Sequence, residues 1–139
     1  MSNYSSSPHK LHIRVYYEDT DAGGIVYYAN YLKFFERART EWLRELGFEQ
    51  DKLMEQSLGF VVKRVDMHNH APGRFNQLLS IYSEVVNCRG ASLTFKQIIK
   101  GPEQQLVAEA DILVACVNLD SMKPVRIPRA ILGELTRVD

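Results

Sequence analysis

The chain has 139 residues, 45% of them hydrophobic and 24% charged, which suits one compact unit and leaves no room for two ordinary domains. Seventeen basic residues balance 17 acidic ones, so net charge supplies no drive toward nucleic acid or an anionic membrane. Only Cys88 and Cys116 are cysteines, far apart in sequence, which argues against a disulfide framework or a zinc site and for reduced thiols in a cytoplasmic protein.

In chain order, residues 1–9 are Ser-rich and polar, read as a frayed tail ahead of a single domain over 10–139. They lack the apolar stretch of a signal peptide, and no later apolar run reaches the length of a membrane span. From Leu11 the pattern alternates: Leu11, Ile13, Val15 and Tyr17 fall on one side, which predicts a strand with that face buried. Residues 18–24, Glu-Asp-Thr-Asp-Ala-Gly-Gly, form an acidic, glycine-bearing turn.

The period then changes. Tyr31, Phe34, Phe35, Ala38, Trp42, Leu43 and Leu46 recur at helical spacing, which predicts a helix over 30–46 with Asn30 as its N-cap and Gly47 as its stop. It would be about 25 Å long, with an unusually aromatic stripe. A short amphipathic piece over 48–56 leads to a long strand over 59–70, broken by Pro72-Gly73. Further strands are predicted over 77–87, 91–100 and 106–117, joined tightly at Arg89-Gly90 and at Lys100-Gly101-Pro102, and a short helix over 128–135 closes the chain. The class is α+β, with an antiparallel sheet curled around one aromatic helix.

Several site readings compete. Asp19-x-Asp21-x-Gly-Gly24 imitates the opening of a calcium loop, but its twelfth position is Asn30 where a bidentate Glu is needed. His68 and His70 share one strand face without an obvious third ligand, so no metal site is expected. There is no G-x-S-x-G elbow, no phosphate loop, and no histidine base beside either cysteine. What survives is a carboxylate just ahead of a helix start, where unpaired N–H groups can hold an oxyanion. By itself the pattern supports either that chemistry or a solvated turn.

The stretch from Arg14 to Trp42 is more specific than its spacing. Together with 59–64 (GFVVKR), 89–95 (RGASLTF), 110–117 (ADILVACV) and 122–128 (MKPVRIP), it closely resembles the hotdog-fold acyl-CoA thioesterases of the 4-hydroxybenzoyl-CoA thioesterase type. Within these it is most similar to the Tol–Pal-associated branch of Gram-negative bacteria. The resemblance implies a hotdog fold, hydrolysis of acyl-CoA or of acyl carrier protein thioesters, no cofactor, and a homodimer or homotetramer with active sites at the dimer interface. It assigns catalysis to Asp21 and oxyanion or substrate positioning to Gly24, Tyr28 and Asn30. Arg89 and Ser92, with Lys123 and Arg126, become candidates for CoA binding. Members of that branch commonly read Val-Tyr-His-Ala-Asn-Tyr where this chain has Tyr28 in place of the histidine, and 71–77 is less acidic than the family norm. A hotdog dehydratase would need a histidine that the 19–31 motif lacks. An acyl-carrier or envelope-machinery scaffold with vestigial activity is the alternative from another class.

Overall fold

The computed structural model describes residues 8–136. In chain order they form β1 (His9–Arg14), a 3-10 turn (Tyr17–Asp19), α1 (Asn30–Glu45), α2 (Gln50–Glu55), β2 (Leu58–Asn69), β3 (Leu78–Arg89), β4 (Ser92–Lys100), β5 (Leu106–Asn118) and α3 (Arg129–Leu135). The five strands make one sheet in the order β1-β3-β4-β5-β2, antiparallel throughout. β2 therefore returns from the far side of α1 to the sheet edge opposite β1.

The sheet works because its strands alternate in register. Leu79, Ile81 and Val85 of β3, Leu93, Phe95 and Ile99 of β4, and Ala108, Ala110, Ile112 and Val114 of β5 are buried on one face. Against that face α1 lays Tyr31, Phe34, Phe35, Ala38, Trp42 and Leu43, all buried. Each fully buried Phe contributes about 1.5–3 kcal/mol relative to exposure, so the aromatic stripe is the main bond between helix and sheet. Ring contacts such as Trp42 edge-on to Phe95, with centroids 6.0 Å apart, fix the relative rotation of the two layers. No described helix is long and apolar enough to cross a membrane.

Three expectations change. The tail read over 1–9 lies outside the described residues except for Pro8 and His9, and His9 is ordered into β1 opposite Ser83. Its ring stacks on Trp42 at 5.8 Å, and Nε2 lies 3.0 Å from Glu45 Oε2, an anchorage no local pattern announces. Tyr17 is not on the buried face with Leu11, Ile13 and Val15. β1 ends at Arg14 and the chain enters the 3-10 turn, leaving Tyr17 80% exposed. Asn30 is not the N-cap of α1 either: Ala29 occupies that position in helical geometry with no side-chain cap, and Asn30 begins the helix. Gly47 does end it, at φ +94°.

Candidate functional site

The acidic turn is a small hairpin rather than an open loop. The Asp21 N–H donates to the Ile25 carbonyl at 2.9 Å, and the Tyr27 N–H donates to the Asp19 carbonyl at 3.1 Å, so residues 19–27 fold back on themselves. Gly24 sits at φ +74° and donates its N–H to the Asp21 carbonyl at 3.0 Å. Glycine is needed there because a Cβ is strained in left-handed geometry. The hairpin is clamped to the β2–β3 connection through Val26 N–H to the Gly73 carbonyl at 2.8 Å and Phe75 N–H to the Gly24 carbonyl at 3.1 Å.

Within this frame the two aspartates differ. Asp19 is buried, and its Oδ2 accepts the Tyr16 N–H at 2.8 Å while its carbonyl accepts from Asn30 Nδ2 at 2.9 Å. Asp19 and Asn30 thus splice the turn onto the first residue of α1. Asp21 is exposed; its Oδ1 accepts the Gly23 N–H at 2.9 Å, and its Oδ2 has no hydrogen-bond partner among the described residues. The same turn holds one oxygen and leaves the other available for chemistry.

The entry to α1 supplies the complementary charge. The N–H groups of Tyr28 and Ala29 have no backbone acceptor among the described residues, whereas Asn30, Tyr31 and Leu32 already donate to Tyr27, Tyr28 and Ala29. Unpaired donors at a helix start, aligned with the helix dipole, are an anion site. The Tyr28 side chain is itself exposed and packs against Tyr27 at 5.2 Å. Beside this entry lies a hollow of about 280 Å³ walled by Val26, Tyr28, Tyr31, His70 and Pro72.

Tyr31 was read only as a core residue, but its hydroxyl accepts the Gly73 N–H at 3.0 Å, inside the protein. Burial raises its pKa above 10.0, with the Gly73 hydrogen bond opposing. His70, read as one of two strand histidines, sits just beyond β2 with Nε2 2.8 Å from Glu109 Oε2, while His68 Nε2 is 3.2 Å from Asp66 Oδ1. The two histidines thus face separate carboxylates. Pro72-Gly73 was legible only as a strand breaker. Its role as the wall of the site depends on a contact 42 residues away.

The four basic or polar candidates gather elsewhere. Arg89 and Ser92 pair across the β3–β4 hairpin. The segment carrying Lys123 and Arg126 returns to it, with Ile127 N–H donating to the Gly90 carbonyl at 3.4 Å and Val125 N–H to the Cys116 carbonyl at 2.9 Å. This cluster lies at the Arg89 end of β3, whereas the Asp21 hairpin is clamped beyond the Leu78 end. Twelve strand residues separate them, about 36 Å at 3.3 Å per residue. Gly24, Tyr28 and Asn30 therefore stand with Asp21 in one chain, and Arg89, Ser92, Lys123 and Arg126 do not.

A buried sheet face holding one long aromatic helix, with a carboxylate turn at the helix entry, defines a hotdog-fold protein of the thioesterase kind. The chain belongs to the thioesterase-like superfamily, which matches residues 15–135. It is 48% identical over 122 residues to the acyl-CoA thioester hydrolase YbgC of Escherichia coli O6:H1, covering 88% of this chain and 91% of that protein. The crystal structure of a probable thioesterase from Bartonella henselae superposes with a TM-score of 0.78 at 34% identity, covering 88% of this chain and all (100%) of that one. The fold is also that of a 1,4-dihydroxy-2-naphthoyl-CoA thioesterase from Synechocystis, with TM-score 0.87 at 19% identity over 94% of this chain and 96% of the other.

Proposed function

We propose that this protein hydrolyses acyl-CoA thioesters, with Asp21 as the reacting carboxylate. The observation that carries this reading is the placement of Asp21, one oxygen held by Gly23 N–H and the other without a partner among the described residues, in a hairpin spliced onto a helix start where the Tyr28 and Ala29 N–H groups have no backbone acceptor among those residues. A carbonyl held against those N–H groups develops its negative charge where the helix end stabilises it. Asp21 then attacks the carbonyl carbon or takes a proton from an attacking water. In either course the C–S bond breaks, CoA leaves as the thiol, and one water is consumed, its oxygen entering the acid directly or replacing the Asp21 oxygen that the acid carries away. Tyr28 and Asn30 serve through backbone and splice, so the step calls for no histidine at position 28.

The separation of Asp21 from the Arg89 cluster supports a second element of the reading: a homodimer. β2 is an edge strand with an unpaired hydrogen-bonding side. Antiparallel pairing of two β2 strands sets the Leu58 end of one chain beside the Asn69 end of the other. Residues 118–126 of one copy are thereby directed toward the Asp21 hairpin of the second. Arg89, Ser92, Lys123 and Arg126 would then meet the CoA phosphates in trans. The Tol–Pal association and the cytoplasmic setting rest on the sequence resemblance, and co-purification with the envelope machinery tests the former.

The deciding experiment is thiol release from a panel of short, long and aromatic acyl-CoAs, with Asp21→Asn as control. We expect turnover by the native chain and a loss of about 10²–10⁴-fold in the variant, with an unchanged circular dichroism spectrum. Near-native turnover by Asp21→Asn would remove Asp21 from the mechanism. Single turnover in ¹⁸O-water reads where water attacks: label in Asp21 with an unlabelled acid establishes a nucleophilic Asp21 whose anhydride opens at the Asp21 carbonyl, whereas label in the acid alone shows attack of water on the acyl carbon.

A further inference from the structure

Arg39 lies on the sheet-facing side of α1, and burial lowers its pKa below the ordinary guanidinium value, with Glu36 opposing. Its Nη1 donates to Gln97 Oε1 at 2.9 Å, and Gln97, completely buried, is spent on the Phe35 carbonyl and Ser83 Oγ. The guanidinium also lies 5.9 Å from the Phe95 ring centroid. Among the described residues no carboxylate comes within ion-pair distance of it. Arg39 is partly withdrawn from water, and a cation so placed normally has a carboxylate partner. Here four of the five N–H donors have no acceptor among the described residues.

What lies beside it is space. A cavity of about 220 Å³ is bounded by Glu36, Arg39, Thr40 and Gln50 on one side and by Phe60, Val62 and Val114 on the other, with Glu36 beyond ion-pair distance of the guanidinium. A small apolar continuation of about 30 Å³ reaches Leu43, Leu93 and Leu135. The hollow at the helix entry touches Tyr28 just ahead of α1, Tyr31 within it, and His70 just past β2. The Arg39 cavity touches α1 later and β2 earlier, so the two hollows lie in succession along α1 and β2, which run in opposite directions. From Tyr31 to Arg39 the helix advances about 12 Å, the scale of a medium acyl chain.

We propose that Arg39 is a specificity-determining residue that receives a carboxylate at the far end of the acyl chain, so that the preferred substrates are ω-carboxyacyl thioesters. This rests on the thioesterase reading and deepens it. The apolar wall of Phe60, Val62 and Val114 accommodates the methylene chain. The unused guanidinium edge offers two parallel N–H groups, which match a carboxylate in bidentate fashion.

The test compares kcat/KM for ω-carboxyacyl-CoAs and for unsubstituted acyl-CoAs of equal chain length, in the native chain and in Arg39→Met and Gln50→Glu. Gln50→Glu adds a second carboxylate, after Glu36, to the cavity wall that Arg39 shares and competes for the guanidinium without removing the cation. We expect a preference of at least tenfold for the carboxylated series at one chain length, and its collapse in both variants. A damaged fold would lower both series together and leave their ratio standing, so the ratio separates specificity from structure. No carboxylate preference at any length, or a preference retained in Gln50→Glu, overturns the proposal. If neither series is hydrolysed, the thioesterase reading fails, and Arg39 is judged by binding of S-alkyl-CoA thioethers ending in carboxylate or methyl. Tighter binding of the carboxylate form that Gln50→Glu abolishes supports the assignment, and equal affinities overturn it.

Discussion

The Tyr31 hydroxyl accepts the N–H of Gly73 at 3.0 Å, tying the second residue of α1 to the loop between β2 and β3. The approach is close enough that a Cβ on residue 73 would lie 3.2 Å from that hydroxyl and 3.2 Å from Val26 Cγ2. One buried bond thus holds together the helix entry, the acidic hairpin and the wall of the adjacent hollow.

Tyr31→Phe removes the acceptor and leaves a buried N–H unpaired, so unfolding free energy should fall by about 1–3 kcal/mol in urea titration. The pH dependence has a definite sign. The folded hydroxyl titrates above 10.0 because burial disfavours its charged form. Its contribution is fully present below the unfolded value and is lost as pH rises through the folded one. The native chain should therefore lose more stability above pH 10 than Tyr31→Phe does, measured by denaturant midpoints across alkaline pH.

Gly24→Ala tests the hairpin geometry separately from the chemistry of Asp21. No atom would clash with the added Cβ, but φ +74° is strained for any L-residue. The expected cost is about 1–2 kcal/mol, together with lower kcat as the Asp21 turn shifts. Asn tolerates this backbone region better than Ala, so Gly24→Asn should recover part of both losses. Equal damage from the two substitutions would show that space, not conformation, governs the position.

Cys116 is buried on β5, and desolvation raises its thiol pKa above the ordinary 9.0. Reaction requires the thiolate and access to it. At pH 8 native protein should leave Cys116 unmodified by iodoacetamide, and denatured protein should be alkylated there within minutes, as read by peptide mass spectrometry. Rapid native modification would mean that the β5 layer opens far more readily than its packing indicates.

Dimerisation through β2 predicts that Val65→Lys, a lysine on the edge strand where Val65 is 39% exposed, discourages strand addition. Sedimentation should show the native chain as a dimer or larger and the variant as a monomer, with turnover falling together with assembly. A monomeric native chain with full activity would instead place the CoA contacts outside the Arg89 cluster.

Much of the architecture was readable locally. Period-2 alternation marked β3, β4 and β5 to within a few residues, and the 3.6-residue recurrence from Tyr31 to Leu46 marked α1, because burial of one face imposes those periods. The ends were less readable. Tyr17 continues the alternation of β1 yet is exposed, since the N–H of Tyr16 turns toward Asp19 rather than toward a neighbouring strand. Asn30 has the chemistry of a cap but donates to the Asp19 carbonyl instead.

For the site itself, the sequence alone determined the chemical types and their adjacency: an acidic pair, two glycines and a helix start within a dozen residues. That was possible because a turn and a cap are short-range structures whose residues must be neighbours in the chain. Only the tertiary structure separated the buried, structural Asp19 from the exposed Asp21, brought Gly73 to Tyr31, and left Arg39 on a cavity wall with no ion-paired carboxylate among the described residues. It also placed Arg89, Ser92, Lys123 and Arg126 at the far end of the sheet. These are relations between segments tens of residues apart, set by strand order and by the packing of one helix across a sheet, and no local pattern encodes them.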